Sequence, residues 1–356
     1  MKLEDIVDGI RPLDPEWIGK AQARTDQLVM PTRALGRLHE ISERMCAIQK
    51  TLQPPTNRKA VLVMAGDHGV VDEGVSAYPQ EVTAAMVQTF LVGGAAINAI
   101  SRLVGAEVFV VDMGIIPDLD VANLQSNDRL IVRKVGKGTN NFAKGPAMSR
   151  DDAECAILEG FNQASELFQN GIDILATGDM GIGNTTPAAA IGSVVCGADL
   201  EAMVGRGTGV NDEGLMRKRD VIRRGIEVNH PIPEDGLDVL AKIGGFEIGG
   251  IAGCVLAAAY HRRPVVIDGF ISTSGALIAY ALCPTVAEYL FAGHCSEEPG
   301  HRIMLNHLHL DPILDLGMRL GEGTGATLAM GVIEGAVNVF KDVLTFDEAG
   351  VANKED

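Results

Sequence analysis

Aromatic side chains are scarce: one Trp, four Tyr and ten Phe in 356 residues, 4% of the chain. So few flat rings offer no platform for stacking the bases of a single strand. Positive charge is short as well. Thirty Lys and Arg stand against 47 Asp and Glu, a net charge of -17, and such a surface repels phosphate backbones and anionic lipid. Neither nucleic acid nor a membrane is therefore expected as a partner. An anionic small molecule needs a locally positive or amide-lined pocket. The six cysteines include no CxxC pair, and free thiols in a reducing cytoplasm are the expected state. The longest apolar run, Ile248 to Tyr260, is too short to span a bilayer and holds three glycines. The polar, acidic start "MKLEDIVDGIRPLDPEW" is unlike a signal peptide. A cytoplasmic location is expected. Several chemical signatures are missing too: the P-loop lysine and the dinucleotide glycine spacing, zinc-ligand spacing, and a nucleophile elbow.

Glycine, in contrast, is abundant, with 42 residues, and 46% of the chain is hydrophobic. That is ample material for a large core. Length suggests two domains, or one large domain with an appendage. The first 50 residues space their apolar positions at helical intervals, and "QPPTNRK" then breaks the chain. From residue 60 short apolar runs end in Gly and Asp: "AVLVMAGD" (60–67), "AEVFVVDMG" (106–114), "IDILATGDMG" (172–181) and "PVVIDG" (264–269), with a more polar relative at 129–135. Helical stretches separate them. Buried strands alternating with helices predict an α/β fold, a parallel sheet flanked by helices in three Rossmann-like layers. Ligands of such sheets bind beyond the C-terminal ends of the strands. After residue 284, "PTVAEYLFAG", "PILDLGMRLG" and "GATLAMGVIEGAVNVFKDVL" read as helical, and the tail 348–356 as disordered. The expected division is an α/β catalytic domain over 60–300, with a smaller helical domain built from 1–59 and 301–356.

Five segments carry possible chemistry. In "ATGDMGIGNTTPAAAIGSVV" (176–195) a strand enters a glycine loop, and Thr186 before Pro187 marks a helix start. Free N–H groups and the dipole there suit a phosphate, although an ordinary strand-to-helix turn has the same look. "VGRGTGVNDEGLMRKRDVIRRGI" (204–226) is a second glycine loop, and Lys218 behind it is either a phosphate contact or part of a solvated basic face. Asp67 and His68 at a strand end are catalytic or hold the loop, and Tyr78 and Met86 line a pocket for a flat ring or pack in the core. For His294, His301, His307 and His309, capping and surface roles are preferred over a metal site. In "RLGEGTGA" (319–326) the lone acid Glu322 sits among three glycines, which permit unusual backbone angles and close approach of a ligand.

Taken together, "AGDHGVVDEGVSAYPQEVT", "GGAAIN", "GDMGIGNTTPAAA", "GRGTG", "RKRD", "LDVLAKIGGFEIGGIAG", "IDGFISTSGAL", "GHCSEEPGH" and "LGMRLGEGTGATLAM" resemble the nicotinate-nucleotide:dimethylbenzimidazole phosphoribosyltransferase family, in order from about residue 30 to 340. The resemblance implies transfer of 5-phosphoribosyl from nicotinate mononucleotide to an aromatic lower-ligand base of a cobamide. It implies Glu322 as general base and Gly181, Lys218 and Ser296 as phosphate and ribose contacts. Asp179 is the second carboxylate candidate, and Tyr78, Met86, Met180 and Leu320 are expected at the acceptor pocket. No cofactor and no metal is expected. The family resembled is homodimeric. Relatives that attach phenol or p-cresol pair two related chains, and this chain is also compatible with one subunit of such a heterodimer. Two departures stand out: Asp179 replaces the usual Glu of "GEMG", and "VMPTRALGRLHE" replaces "KPPGSLGRLE".

Overall fold

The computed structural model describes residues 1–119, 128–207 and 209–352. Seven parallel strands form one sheet: β1 Lys59–Gly66, β2 Ala106–Gly114, β3 Leu130–Val132, β4 Ile174–Met180, β5 Val265–Ile267, β6 Leu290–Ser296 and β7 Pro312–Met318. The helices in chain order are α1 Leu3–Gly9, α2 Pro15–Thr25, α3 Arg37–Gln49, α4 Val82–Leu91, α5 Ala96–Val104, α6 Arg150–Gln169, α7 Thr185–Cys196, α8 Leu200–Met203, α9 Asp212–Asn229, α10 Gly236–Ile243, α11 Phe246–Tyr260, α12 Phe270–Leu282, α13 His301–His307, α14 Thr324–Asp342 and α15 Phe346–Ala349.

The strand order is β3-β2-β1-β4-β5-β6-β7. Every residue of β1 is buried, as are all but the last of β4. Strands that are apolar on both faces need cover on both sides. The helices α6, α11 and α12 supply one layer, with α11 against β1, β2, β4 and β5; α4, α5 and α14 supply another, with α14 against β4 to β7. The order reverses between β1 and β4, which places the ligand crevice over the C-terminal ends of those strands.

Glycine sets the closest helix contact. A Cβ on Gly160 of α6 would lie 2.0 Å from the Gly250 carbonyl oxygen of α11, and one on Gly253 would lie 2.0 Å from that of Ile157. The segment 82–104 is long and apolar enough, by length and composition, to cross a membrane. Gly93, at φ 77°, divides it into α4 and α5, which pack on β1, β2 and α14.

Two stretches read as helical are strands. "PTVAEYLFAG" makes a short 3-10 turn and then β6, and "PILDLGMRLG" contains β7. The polar end of β6 hides its strand pattern, and β7 is a largely exposed edge whose pairing with β6 overrides local spacing. The tail is ordered as far as α15, and residues 353–356 lie outside the described residues. The two ends of the chain are stitched together. Leu28 bridges to Thr345, and Arg24 donates to the carbonyls of Phe340 and Lys341 at the end of α14.

Gly160→Ala is expected to cost about 1–3 kcal/mol, because backbone must move to admit one methyl. Gly335→Ala, on the exposed side of α14 with nothing within 4 Å, is expected to gain about 0.5–1 kcal/mol. Denaturant unfolding of the two variants checks both signs.

Candidate active site

The ends of the central strands carry acids. Asp67 follows β1, Asp112 lies near the end of β2, Asp179 near the end of β4, and Asp268 follows β5; all four are buried. Asp67 accepts the Ile116 N–H at 2.8 Å, and Asp112 accepts those of Gly114 and Ile115. These two tie loops together. His68 stands 2.8 Å from Glu247 of α11, both fully buried. Burial pulls the imidazolium down, but Glu247 and Asp67 outweigh it and raise its pKa. Asp67 and His68 thus hold the loop beside β1.

Beyond β4 and β5 lies a cavity of about 440 Å³, a size that suits a small molecule. One part of its wall is Asp179, Gly321 and the exposed, apolar Tyr78 and Leu320; another is Thr185, Gly207, Ser296 and Glu298; His294 and the start of α12 also line it. Asp179 accepts a hydrogen bond from Asn184 at 3.0 Å. Its carboxyl is held well above the usual range by burial first and by Asp268 second, with Glu247 and Glu322 adding to the effect.

Glu322 sits directly behind Gly321. Gly321, Glu322 and Gly323 have φ of 89°, 64° and 92°. A left-handed glutamate costs roughly 1–2 kcal/mol, and such strain collects at functional sites. The glutamate is buried, and its Oε2 accepts the Ile97 N–H at the start of α5, 3.1 Å away. Burial raises its pKa and Asp268 adds to that, against the Ile97 N–H. The turn rests on β4 because Gly178 has no side chain; a Cβ there would lie 2.4 Å from the Glu322 carbonyl oxygen.

Lys218 is not part of a solvated face. It is buried while Arg217 beside it pairs in solvent with Glu213. Its Nζ donates to Thr185 Oγ1 at 2.6 Å, behind the cavity wall. Burial lowers the ammonium to about 8, against the pull of Glu298. Glu298 in turn accepts the Gly207 N–H at 2.9 Å. Arg319 reaches the Gly207 carbonyl at 3.3 Å. Thr208, in the same loop, lies outside the described residues.

Of the residues singled out in the sequence, Asp179, Ser296, Tyr78 and Leu320 line the cavity, and Glu322 and Lys218 lie immediately behind it. Gly181 faces the end of β1, where a Cβ would lie 2.4 Å from the Gly66 carbonyl oxygen, and half-buried Met86 and Met180 pack against the core. The helix start is Asn184, not Thr186, whose hydroxyl has no partner. The histidines depart most from expectation. His294 and His301 are buried, not at the surface, and burial drives His301 down to about 3. His301 accepts the Ser296 N–H at 2.8 Å and so fixes the residue at the cavity wall. Sequence reasoning misses Asn184, Thr185, Asp268, His294, Glu298 and Arg319 as site residues. Asp268 has a signal: it ends a strand as Asp179 does. Among the described residues no group of three or more His, Cys, Asp or Glu is placed to hold a metal ion.

A parallel sheet, a cavity over the ends of its strands, buried acids on one side and a buried ammonium on the other define an α/β enzyme for an anionic small molecule. The profile of a family described as phosphoribosyltransferase matches residues 10–351, and the chain belongs to that family. It is 54% identical to nicotinate-nucleotide–dimethylbenzimidazole phosphoribosyltransferase of Geotalea uraniireducens over 353 residues, 99% of each chain, and 52% identical to the enzyme of that name from Geobacter sulfurreducens over 98% of each. The crystal structure of nicotinate-nucleotide-dimethylbenzimidazole phosphoribosyltransferase from Thermus thermophilus superposes with a TM-score of 0.90 at 46% identity, covering 96% of this chain and 100% of that one.

The raised carboxyls set a stability cost. A group whose folded pKa exceeds its unfolded one binds more protons when folded, so stability falls as pH rises through that interval. Asp179→Asn is expected to raise stability at pH 7 by about 1–2 kcal/mol, a gain that vanishes toward about pH 4, where the unfolded carboxyl is protonated too. Thermal unfolding across pH measures it.

Proposed function

We propose that the chain transfers 5-phosphoribosyl from nicotinate mononucleotide to 5,6-dimethylbenzimidazole or a similar aromatic base, giving α-ribazole phosphate and nicotinate. The observation that carries this reading is the buried, left-handed Glu322 behind the cavity wall, in a chain about half identical, end to end, to enzymes of that name.

The chemistry follows from the groups present. In nicotinate mononucleotide the pyridine nitrogen is cationic. When its bond to C1′ breaks, the bonding pair returns to the ring and neutralises it. The acceptor nitrogen attacks C1′ from the opposite face, which inverts β to α. Its second nitrogen then loses a proton, and Glu322 takes it. A positioned base is worth about 10²–10⁴ in rate, and a pKa raised above the ordinary carboxylate value makes it a stronger one. Positive charge builds on the ribose carbon, and nearby carboxylates stabilise it. Lys218, Thr185 and Ser296 take the phosphate, and Tyr78 and Leu320 flank the acceptor ring. Gly181, Met86 and Met180 support these walls from behind.

The reaction is placed in the cytoplasm, where the six cysteines, all unpaired here, stay reduced. The terminal helices are assigned to a smaller unit sewn together at α14, and the active species to a homodimer, for which exposed Val92 and Leu103 provide apolar surface.

Purified protein given nicotinate mononucleotide with mixed benzimidazoles, purines and phenols should release nicotinate and form an α-ribazole phosphate of matching mass. Glu322→Gln should bind the nucleotide normally but lose about 10²-fold or more of kcat; near wild-type turnover removes Glu322 as base. For Lys218, the ammonium loses its proton above about pH 8. KM for the nucleotide should therefore climb above that pH, and Lys218→Ala should raise KM below that pH and abolish the climb.

A further inference from the structure

The turn that carries Glu322 is held by a residue the transfer chemistry does not use. Asp268 is fully buried at the end of β5. Its Oδ2 accepts the Gly323 N–H at 3.1 Å and its Oδ1 the Ala326 N–H at 2.8 Å. One N–H belongs to the residue after Glu322, the other to the first turn of α14. The carboxylate thus clamps the turn to the helix behind it, and opposes the strain of Glu322 at positive φ.

The same Oδ1 faces His294 Nδ1 at 3.5 Å. That histidine is only 1% exposed, yet its ring lines the cavity. Buried Nδ1 has no hydrogen-bond partner. Among the described residues no hydrogen bond engages Nε2 of this cavity-lining histidine. The ring fits only because its neighbours are glycines: a Cβ on Gly325 would lie 2.0 Å from Nδ1, and one on Gly269 3.1 Å from Cε1. His294 shares the cavity wall with Ser296, two residues on along its strand, and its ring packs on Gly325 in the first turn of α14.

We propose that Asp268 is the positioning residue of Glu322 and that, through His294, it also orients a hydrogen-bond acceptor toward a ribose hydroxyl of the donor nucleotide. The inference rests on Glu322 being the base. The carboxylate 3.5 Å from Nδ1 favours the tautomer with the proton on that nitrogen, which makes Nε2 the acceptor. The negative charge of Asp268 also favours the protonated form of Glu322. Other groups around Glu322 are Asp179 of β4 and the Ile97 N–H of α5; Glu247 of α11, paired with His68, bears on Asp179.

Asp268→Asn in the full-length enzyme tests the clamp. With thermal unfolding showing a folded protein, kcat should drop about 10²-fold, as for a misplaced reacting group, and the acid limb of the kcat–pH profile should move to lower pH. A purely structural role lowers stability and leaves that limb in place, which overturns the proposal; so does wild-type kcat. Should this variant not fold, Asp268→Ser removes the charge while keeping a small acceptor and is read the same way. His294→Leu should raise KM for nicotinate mononucleotide about tenfold, the worth of one hydrogen bond, with kcat little changed; an unchanged KM overturns the ribose contact. Glu322→Gln is run alongside. If it retains turnover, the base assignment fails; if it is inactive while Asp268→Asn matches wild type, only the present inference does.

Discussion

The cavity depends on seating the first turn of α14 on the sheet with no side chain between. Gly293 of β6 lies against it, where a Cβ would come 2.6 Å from the Ala326 Cα; a Cβ on Gly323 would lie 2.8 Å from Val61, and one on Gly178 would strike the Glu322 carbonyl. Glycine on both partners brings backbone to backbone, and only then can Asp268 reach two N–H groups of the helix. The abundance of glycine near Glu322 therefore serves the fold first. Gly321 alone of the three faces the cavity.

This seat concentrates charge that the fold would otherwise avoid. Asp179, Asp268, Glu247 and Glu322 share one buried region. Burial raises the pKa of Asp179, Asp268 and Glu322, and the charge of Asp268 adds to that for the other two. The site has few compensating partners: Asn184, the helix N-terminal amides and His294. A raised pKa makes a carboxylate a stronger base, and the backbone contacts of the α14 seat hold that carboxylate in place.

Much of this is legible in the sequence. Runs such as "AVLVMAGD" and "IDILATGDMG" announce buried strands because both faces are covered, and their terminal acids mark the functional edge. Glu322 stands out through its glycine neighbours. Strands β6 and β7 are hidden, since one ends in cavity residues and the other is an exposed edge. His294 reads as a surface group because nothing local reveals that Gly325, some thirty positions on, vacates the space for its ring. Lys218 looks like one cation of a run; only the packing of α9 behind Thr185 separates it from its neighbours. Such pairings are long-range, and no local pattern encodes them.

The seam between the chain ends has a mechanical reading. Helix α14 begins at the Glu322 turn and finishes where Arg24 and the Leu28–Thr345 bridge fasten it. It is a rigid rod about 28 Å long, taking 1.5 Å per residue over its 19 residues. Slack at the outer end would tilt the inner end, where a fraction of an ångström matters. The segments around Arg24, Leu28 and Thr345 thus act as a distant bearing for the reaction centre.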